Sequence, residues 1–150
     1  MKALLHISLV IIALTFVQGT PINAPSSDAG KGITFFEGTW EEALEMAEKE
    51  DKMIFLDAYA VWCGPCKLLK KNVFTDEGVG NFYNKNFINF EMDMERGIGP
   101  KMAQQFRVTA YPTLLFVKAD GSVANKAVGY HPQAQLIALG EKVLNAQNEE

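Results

Sequence analysis

Cys63 and Cys66 are the only thiols in a chain of 150 residues, and they stand three positions apart with Gly64 and Pro65 between them. Three residues along a helix make nearly one turn, so the two sulfurs face the same way. Where such a pair opens a helix, the first sulfur lies against backbone N–H groups that have no partner within the helix. It also meets the positive end of the helix dipole, and both effects favour thiolate over thiol. Cys63 is therefore the expected nucleophile. Cys66, one turn along, is placed to attack a mixed disulfide on Cys63 at high effective concentration. The chemistry open to this pair is thiol–disulfide exchange.

Three plainer readings compete. A structural disulfide would close a very short loop and restrict the unfolded chain by only about 2 kcal/mol, a poor staple. A metal site needs about four ligands, and beyond residue 19 the chain offers two thiols and one histidine, His131, so no metal is expected. Two inert buried cysteines would not need Gly64 and Pro65, which spoil a helix interior and suit a helix start.

The surrounding pattern supplies the elements to hold the pair. Residues 53–60 form an apolar run with β-branched and aromatic content, which predicts a strand covered on both faces that delivers Cys63 to its end. A helix is expected over 63–73. Upstream, 33–37 reads as a short strand, and Thr39 with Glu42 forms a capping box for a helix through about Glu50. Phe74 and Val79 flank Thr75 as a staple around a cap, predicting a helix to about Asn84. Further on come a strand at 87–93, a short helix at 100–106, a strand at 113–117, a turn at 119–122 and a strand at 123–128. Pro132 followed by Leu136, Leu139 and Val143 gives a final helix. This order implies an α/β fold with parallel central strands, an antiparallel edge and helices on both faces of the sheet. Met92, Met94 and Met102 are expected as core filler rather than a soft-metal box.

Nearly half the residues are hydrophobic (48%), enough for one compact core without staples. Lys2 followed by the apolar run 3–17 reads as a secretory signal over residues 1–19, with cleavage after Gly19 or alternatively after Ala24. Residues 20–31, rich in Pro, Ser, Ala and Gly, read as a flexible leader, and 32–150 as the folded domain. The net charge of −4 becomes one unit more negative when Lys2 is removed. With no basic cluster beyond Lys67, Lys70 and Lys71, read as a solvated helix face, neither nucleic acid nor an anionic membrane is expected as a partner.

The string Asp57-Ala58-Tyr59-Ala60-Val61-Trp62-Cys63-Gly64-Pro65-Cys66-Lys67, followed by Tyr111-Pro112-Thr113-Leu114, resembles the thioredoxin superfamily, over roughly residues 32–145. Phe74-Thr75-Asp76-Glu77 adds a weaker similarity to the periplasmic C-terminal domain of the transmembrane thiol-disulfide interchange proteins. The resemblance implies a thioredoxin-like fold with a central mixed sheet, and a thiol-disulfide oxidoreductase that needs no cofactor. It implies that Pro112 is cis and that Tyr111 offers its backbone to an extended substrate. It also implies that Asp57 is a buried acid serving proton transfer at Cys66, and that Trp62, Gly64, Pro65 and Gly129 belong with Tyr111 and Pro112 to the substrate-facing rim.

Three departures stand out. The family's lysine partner for the buried acid would fall near Asn89 or Glu91, neither of them basic. Tyr111 replaces an aliphatic residue, and Gly129-Tyr130-His131 gives the last loop aromatic bulk. Gly-Pro between the cysteines resembles the reducing members of the superfamily. A periplasmic, monomeric disulfide reductase is the resulting expectation, acting on protein disulfides and recharged by a membrane thiol donor. An isomerase or oxidase, or a binding or chaperone module, are the alternatives.

Overall fold

The computed structural model describes residues 32–147 and 149. The expected signal at 1–19 and leader at 20–31 lie outside the described residues. Five helices and four strands follow in the order α1 (Trp40–Glu50), β1 (Met53–Tyr59), α2 (Gly64–Asn72), α3 (Glu77–Asn86), β2 (Phe87–Asp93), α4 (Gly99–Gln105), β3 (Thr113–Val117), β4 (Val123–Val128) and α5 (Gln133–Gln147).

The sheet runs β2-β1-β3-β4. β1 pairs with β2 in parallel, and β3 is antiparallel to both β1 and β4. The sheet is mixed as expected, but its central pair, β1 and β3, is antiparallel rather than parallel. The connection after β2 carries the chain to β3 without a long crossover helix. α4 has seven residues and spans only about 10 Å, whereas a strand of that length covers about 23 Å. The chain does not recross the sheet, and β3 begins at the end where β2 finishes.

Alternation along β1 sorts the core. Ile54, Leu56 and Ala58 meet Trp40, Ala43 and Ala47 of α1 and Met102 of α4, while Met53 and Phe55 meet Leu69 and Val73, Val79 and Tyr83, and Leu136. Helices thus cover both faces, α1 and α4 on one, α2, α3 and α5 on the other. Met92, Met94 and Met102 are buried within the first layer, as core residues. In the second layer Tyr83 donates its hydroxyl to the Leu136 carbonyl at 2.7 Å, which satisfies a polar atom that burial would otherwise strand.

Two local expectations are corrected. The segment 33–37 is not a strand. Backbone bonds touch it only at its two ends, where Ile33 N–H reaches the Phe74 carbonyl at 2.6 Å and Phe36 N–H the Asn89 carbonyl at 2.7 Å, and side chains hold the residues between. Asn84 Oδ1 accepts from Thr34 N–H, Asn84 Nδ2 donates to the Gly32 carbonyl, and Asn89 Nδ2 donates to the Thr34 carbonyl. The cap of α3 is Asp76, whose carboxylate accepts Val79 N–H at 2.9 Å. Thr75 turns its hydroxyl back to the Lys71 carbonyl. The capping box of α1, by contrast, forms between Thr39 and Glu42 as expected.

Gly80 packs α3 directly on Gly32, and a Cβ there would fall on the Gly32 backbone. Gly80→Ala gains about 1 kcal/mol of helix propensity and loses about 1–3 kcal/mol to overpacking. The expected result is a lower urea midpoint at unchanged slope, and a midpoint equal to or above the parent's would show that the contact yields.

Candidate redox site

β1 ends at Tyr59, and a turn carries the chain through Ala60 and Trp62 into α2, so Cys63 becomes the N-cap of that helix. Pro65 fits the first turn, where no N–H is required. Cys63 Sγ accepts the Cys66 backbone N–H at 3.1 Å, occupying the place that a serine or aspartate oxygen takes at other helix starts. The same donor would stabilise a thiolate at Cys63. The two sulfurs are joined at 2.07 Å, so the structure shows the oxidised pair.

The pair is more enclosed than an exposed helix start implies. Gly64 and Pro65 are exposed, but Cys63 and Cys66 are each only 2% exposed. Ala60 packs with them, and Tyr59 and Tyr111 pack against the cluster. Trp62 is the outermost piece, 65% exposed. Its indole N–H donates to Glu95 at 2.8 Å, and its ring meets Tyr111 edge-on at 5.9 Å.

The Tyr111–Pro112 bond is cis. The Pro112 carbonyl accepts Gly129 N–H at 2.8 Å, and Gly129 has φ +95°, a conformation that suits glycine. Trp62, Tyr111, Pro112 and Gly129 are thereby linked into one rim, with Gly64 and Pro65 on the helix side. Partial burial together with the Glu95 and Asp93 carboxylates holds the Tyr111 phenol above its ordinary pKa.

Asp57 lies beneath this rim on β1, fully buried, with Leu114 and Glu91 as its neighbours on the adjoining strands. Neither carboxylate oxygen has a hydrogen-bond partner. Burial pushes its pKa up to about 7; Lys70 opposes that rise and Glu91 adds to it. An acid that exchanges its proton near neutrality, on the face of the sheet that α2 covers, can serve a thiol of that helix as base or acid.

Four residues of this region carried no site role in the sequence reading. Tyr59 packs against the cysteine cluster, and Glu95 accepts the Trp62 indole N–H. Lys70, expected on a solvated face, instead pairs with Glu91 and stands over the Tyr59 ring. The signal that could have found Lys70 is its spacing of seven from Cys63, which is two helical turns. Glu91 was considered only as a position lacking a lysine.

Comparison with known proteins gives a consistent result. A family model described as a thioredoxin-like domain matches residues 40–144. A candidate disulphide-isomerase from Bacteroides thetaiotaomicron is 42% identical, with a TM-score of 0.69 over 77% of this chain and 95% of its own. A thioredoxin from Staphylococcus saprophyticus is 34% identical over 90 residues, 59% of this chain and 80% of its own. The C-terminal domain of Neisseria meningitidis DsbD in the oxidised form has a TM-score of 0.60 over 73% of this chain and 98% of its own; at 23% identity that likeness is one of fold.

Proposed function

Since this chain belongs to the thioredoxin-like family and is a thiol-disulfide oxidoreductase, we propose that it works as an exported reductase of protein disulfides. The observation that carries the reading is Cys63 at the N-cap of α2, its sulfur accepting the Cys66 N–H, with a buried acid behind the pair.

Reduction proceeds in two exchanges. The Cys63 thiolate attacks one sulfur of a substrate disulfide, a mixed disulfide forms, and the first substrate thiolate leaves. Cys66 then loses its proton to Asp57 and attacks Cys63 Sγ. The Cys63–Cys66 bond forms, the mixed disulfide breaks, and the second substrate sulfur departs as thiolate, to be protonated by water. The substrate gains two electrons and the protein ends as the disulfide seen here. Trp62, Gly64, Pro65, Tyr111, Pro112 and Gly129 form the substrate rim, with the Tyr111 backbone pairing to an extended segment.

Export is supported by Lys2 and the apolar run after it, and a periplasmic address follows from that reading. A reductase there needs an external supply of electrons, and a membrane thiol donor meets the requirement. Titration of the dithiol against glutathione or dithiothreitol buffers tests direction. A potential near about −270 mV is expected, and one near about −120 mV overturns the reductase. Cys66→Ser should accumulate mixed disulfides with its substrates, and edman sequencing of the mature protein should begin at Thr20.

The likeness to a candidate disulphide-isomerase supports a second reading, isomerisation. Recovery of activity from a scrambled substrate, with the protein added in its dithiol form and no other reductant, separates the two, since a reductase alone leaves that substrate reduced or scrambled.

A further inference from the structure

β2 offers Asp57 no cation: positions 89 and 91 carry Asn89 and Glu91. α2 supplies one instead. Lys70 lies two helical turns beyond Cys63, on the stripe of α2 that faces the sheet. Its Nζ meets Glu91 Oε2 at 2.5 Å and stands 4.5 Å from the centre of the Tyr59 ring. Glu91 is the register partner of Asp57 across the parallel β1–β2 pair, so both carboxylates leave their strands toward the α2 face. Lys70 and Glu91 keep 39% and 34% of their side chains in solvent, while both Asp57 oxygens are enclosed without a partner.

We propose that Lys70 and Glu91 are opposed positioning charges for Asp57, the helix lysine standing in for a strand cation and the glutamate working against it. The proposal rests on the reading of Asp57 as the proton acceptor for Cys66.

Among the described residues, Lys70 and Glu91 are the charges that act on Asp57. β3 contributes Leu114 beside Asp57. α3 presents apolar side chains and Tyr83, whose hydroxyl is committed to α5. On β2, Asn89 holds the 33–36 stretch and Asp93 turns to Arg96. From β1 comes the neutral Tyr59, and from α2, besides Lys70, the Cys66 sulfur. Burial drives the Asp57 pKa upward, Lys70 lowers it and Glu91 raises it. A tether that merely fastens α2 to the sheet predicts the same consequence from losing either partner. Opposed charges predict opposite consequences.

The test is a carbon-13 NMR titration of the Asp57 carboxyl in the oxidised full chain, with Asp57→Asn identifying the signal. Lys70→Met should raise the titration midpoint by about 0.5 pH unit or more, and Glu91→Gln should lower it by a similar amount. Lys70→Arg should restore the parent value, and the double variant should fall between the single ones. The pH midpoint of mixed-disulfide resolution should move in the same directions. Midpoints that do not move, or that move the same way in both single variants, overturn the proposal. If the opposed shifts occur while Asp57→Asn leaves the pH profile of turnover unchanged, the charge pair stands and the proton-acceptor role of Asp57 falls. If Asp57→Asn flattens that profile while Lys70→Met and Glu91→Gln leave it in place, the pair falls and the acceptor role stands.

Discussion

Cys63→Ser is expected to lower the rate of disulfide reduction by at least about 10⁴-fold while leaving the fold in place. The two halves of that expectation have separate causes. A serine hydroxyl is essentially un-ionised near neutrality, so the helix start that favours a thiolate has nothing comparable to stabilise. Serine is nonetheless a favoured N-cap, and its oxygen can take over the Cys66 N–H that Cys63 Sγ now accepts. The short disulfide loop is lost as well, a cost of about 2 kcal/mol against the oxidised parent. Insulin reduction followed by turbidity, beside a thermal melt of the same preparation, reads both halves. Residual turnover within tenfold of the parent would mean that Cys66 can initiate the exchange, and the assignment of the two roles would have to be reversed.

Asp57→Asn is expected to change how stability depends on pH by about 4 kcal/mol. In the unfolded chain the carboxyl titrates near 3.8, and in the folded protein it is pushed up to about 7. The folded state therefore holds the proton more tightly. Below about pH 4 both states are protonated and the carboxyl contributes no penalty. As pH rises from there to about 7, the unfolded chain releases its proton while the folded protein keeps it, and stability falls. Above about pH 7 the folded protein carries a buried, unpartnered carboxylate and the full penalty is present.

Asparagine removes the titration and introduces amide donors with no acceptor, a cost of about 1–3 kcal/mol that does not vary with pH. Subtracting urea unfolding curves of parent from variant at each pH isolates the effect. The difference should climb in the variant's favour between about pH 4 and pH 7 and then level off. Parallel curves across that range would show that Asp57 is not the high-pKa acid described here.

The reactive centre was legible because its determinants are local. Two cysteines around Gly64-Pro65 need only a helix start, and the resemblance to the thioredoxin superfamily marked Asp57, six positions upstream on an otherwise apolar strand, as the buried acid. β1 and β3 were readable for the same reason, being apolar at nearly every position and buried on both faces. What escaped depends on contacts between distant segments. Cys63 is recessed in a cluster against which Tyr59 and Tyr111, which are far apart in sequence, both pack. Lys70 looked like one of three solvated lysines because its partner, Glu91, lies on another element. The edge of the sheet beside β2 misled for a different reason. Side-chain amides of Asn84 and Asn89 hold 33–36 there, and such bonds leave no alternating pattern to read. Thr75 and Asp76 are both good caps, and the choice between them turned on whether the Thr75 hydroxyl was already engaged by the preceding helix.

Gly32 has a consequence beyond packing. Its neighbour Ile33 donates its N–H to the Phe74 carbonyl at 2.6 Å, just past the end of α2 remote from Cys63. α2 is nine residues long, which places that exit about 13 Å or more along the helix from the sulfurs. A rigid attachment made at Gly32 itself would therefore sit beside the far end of α2, away from the sulfurs.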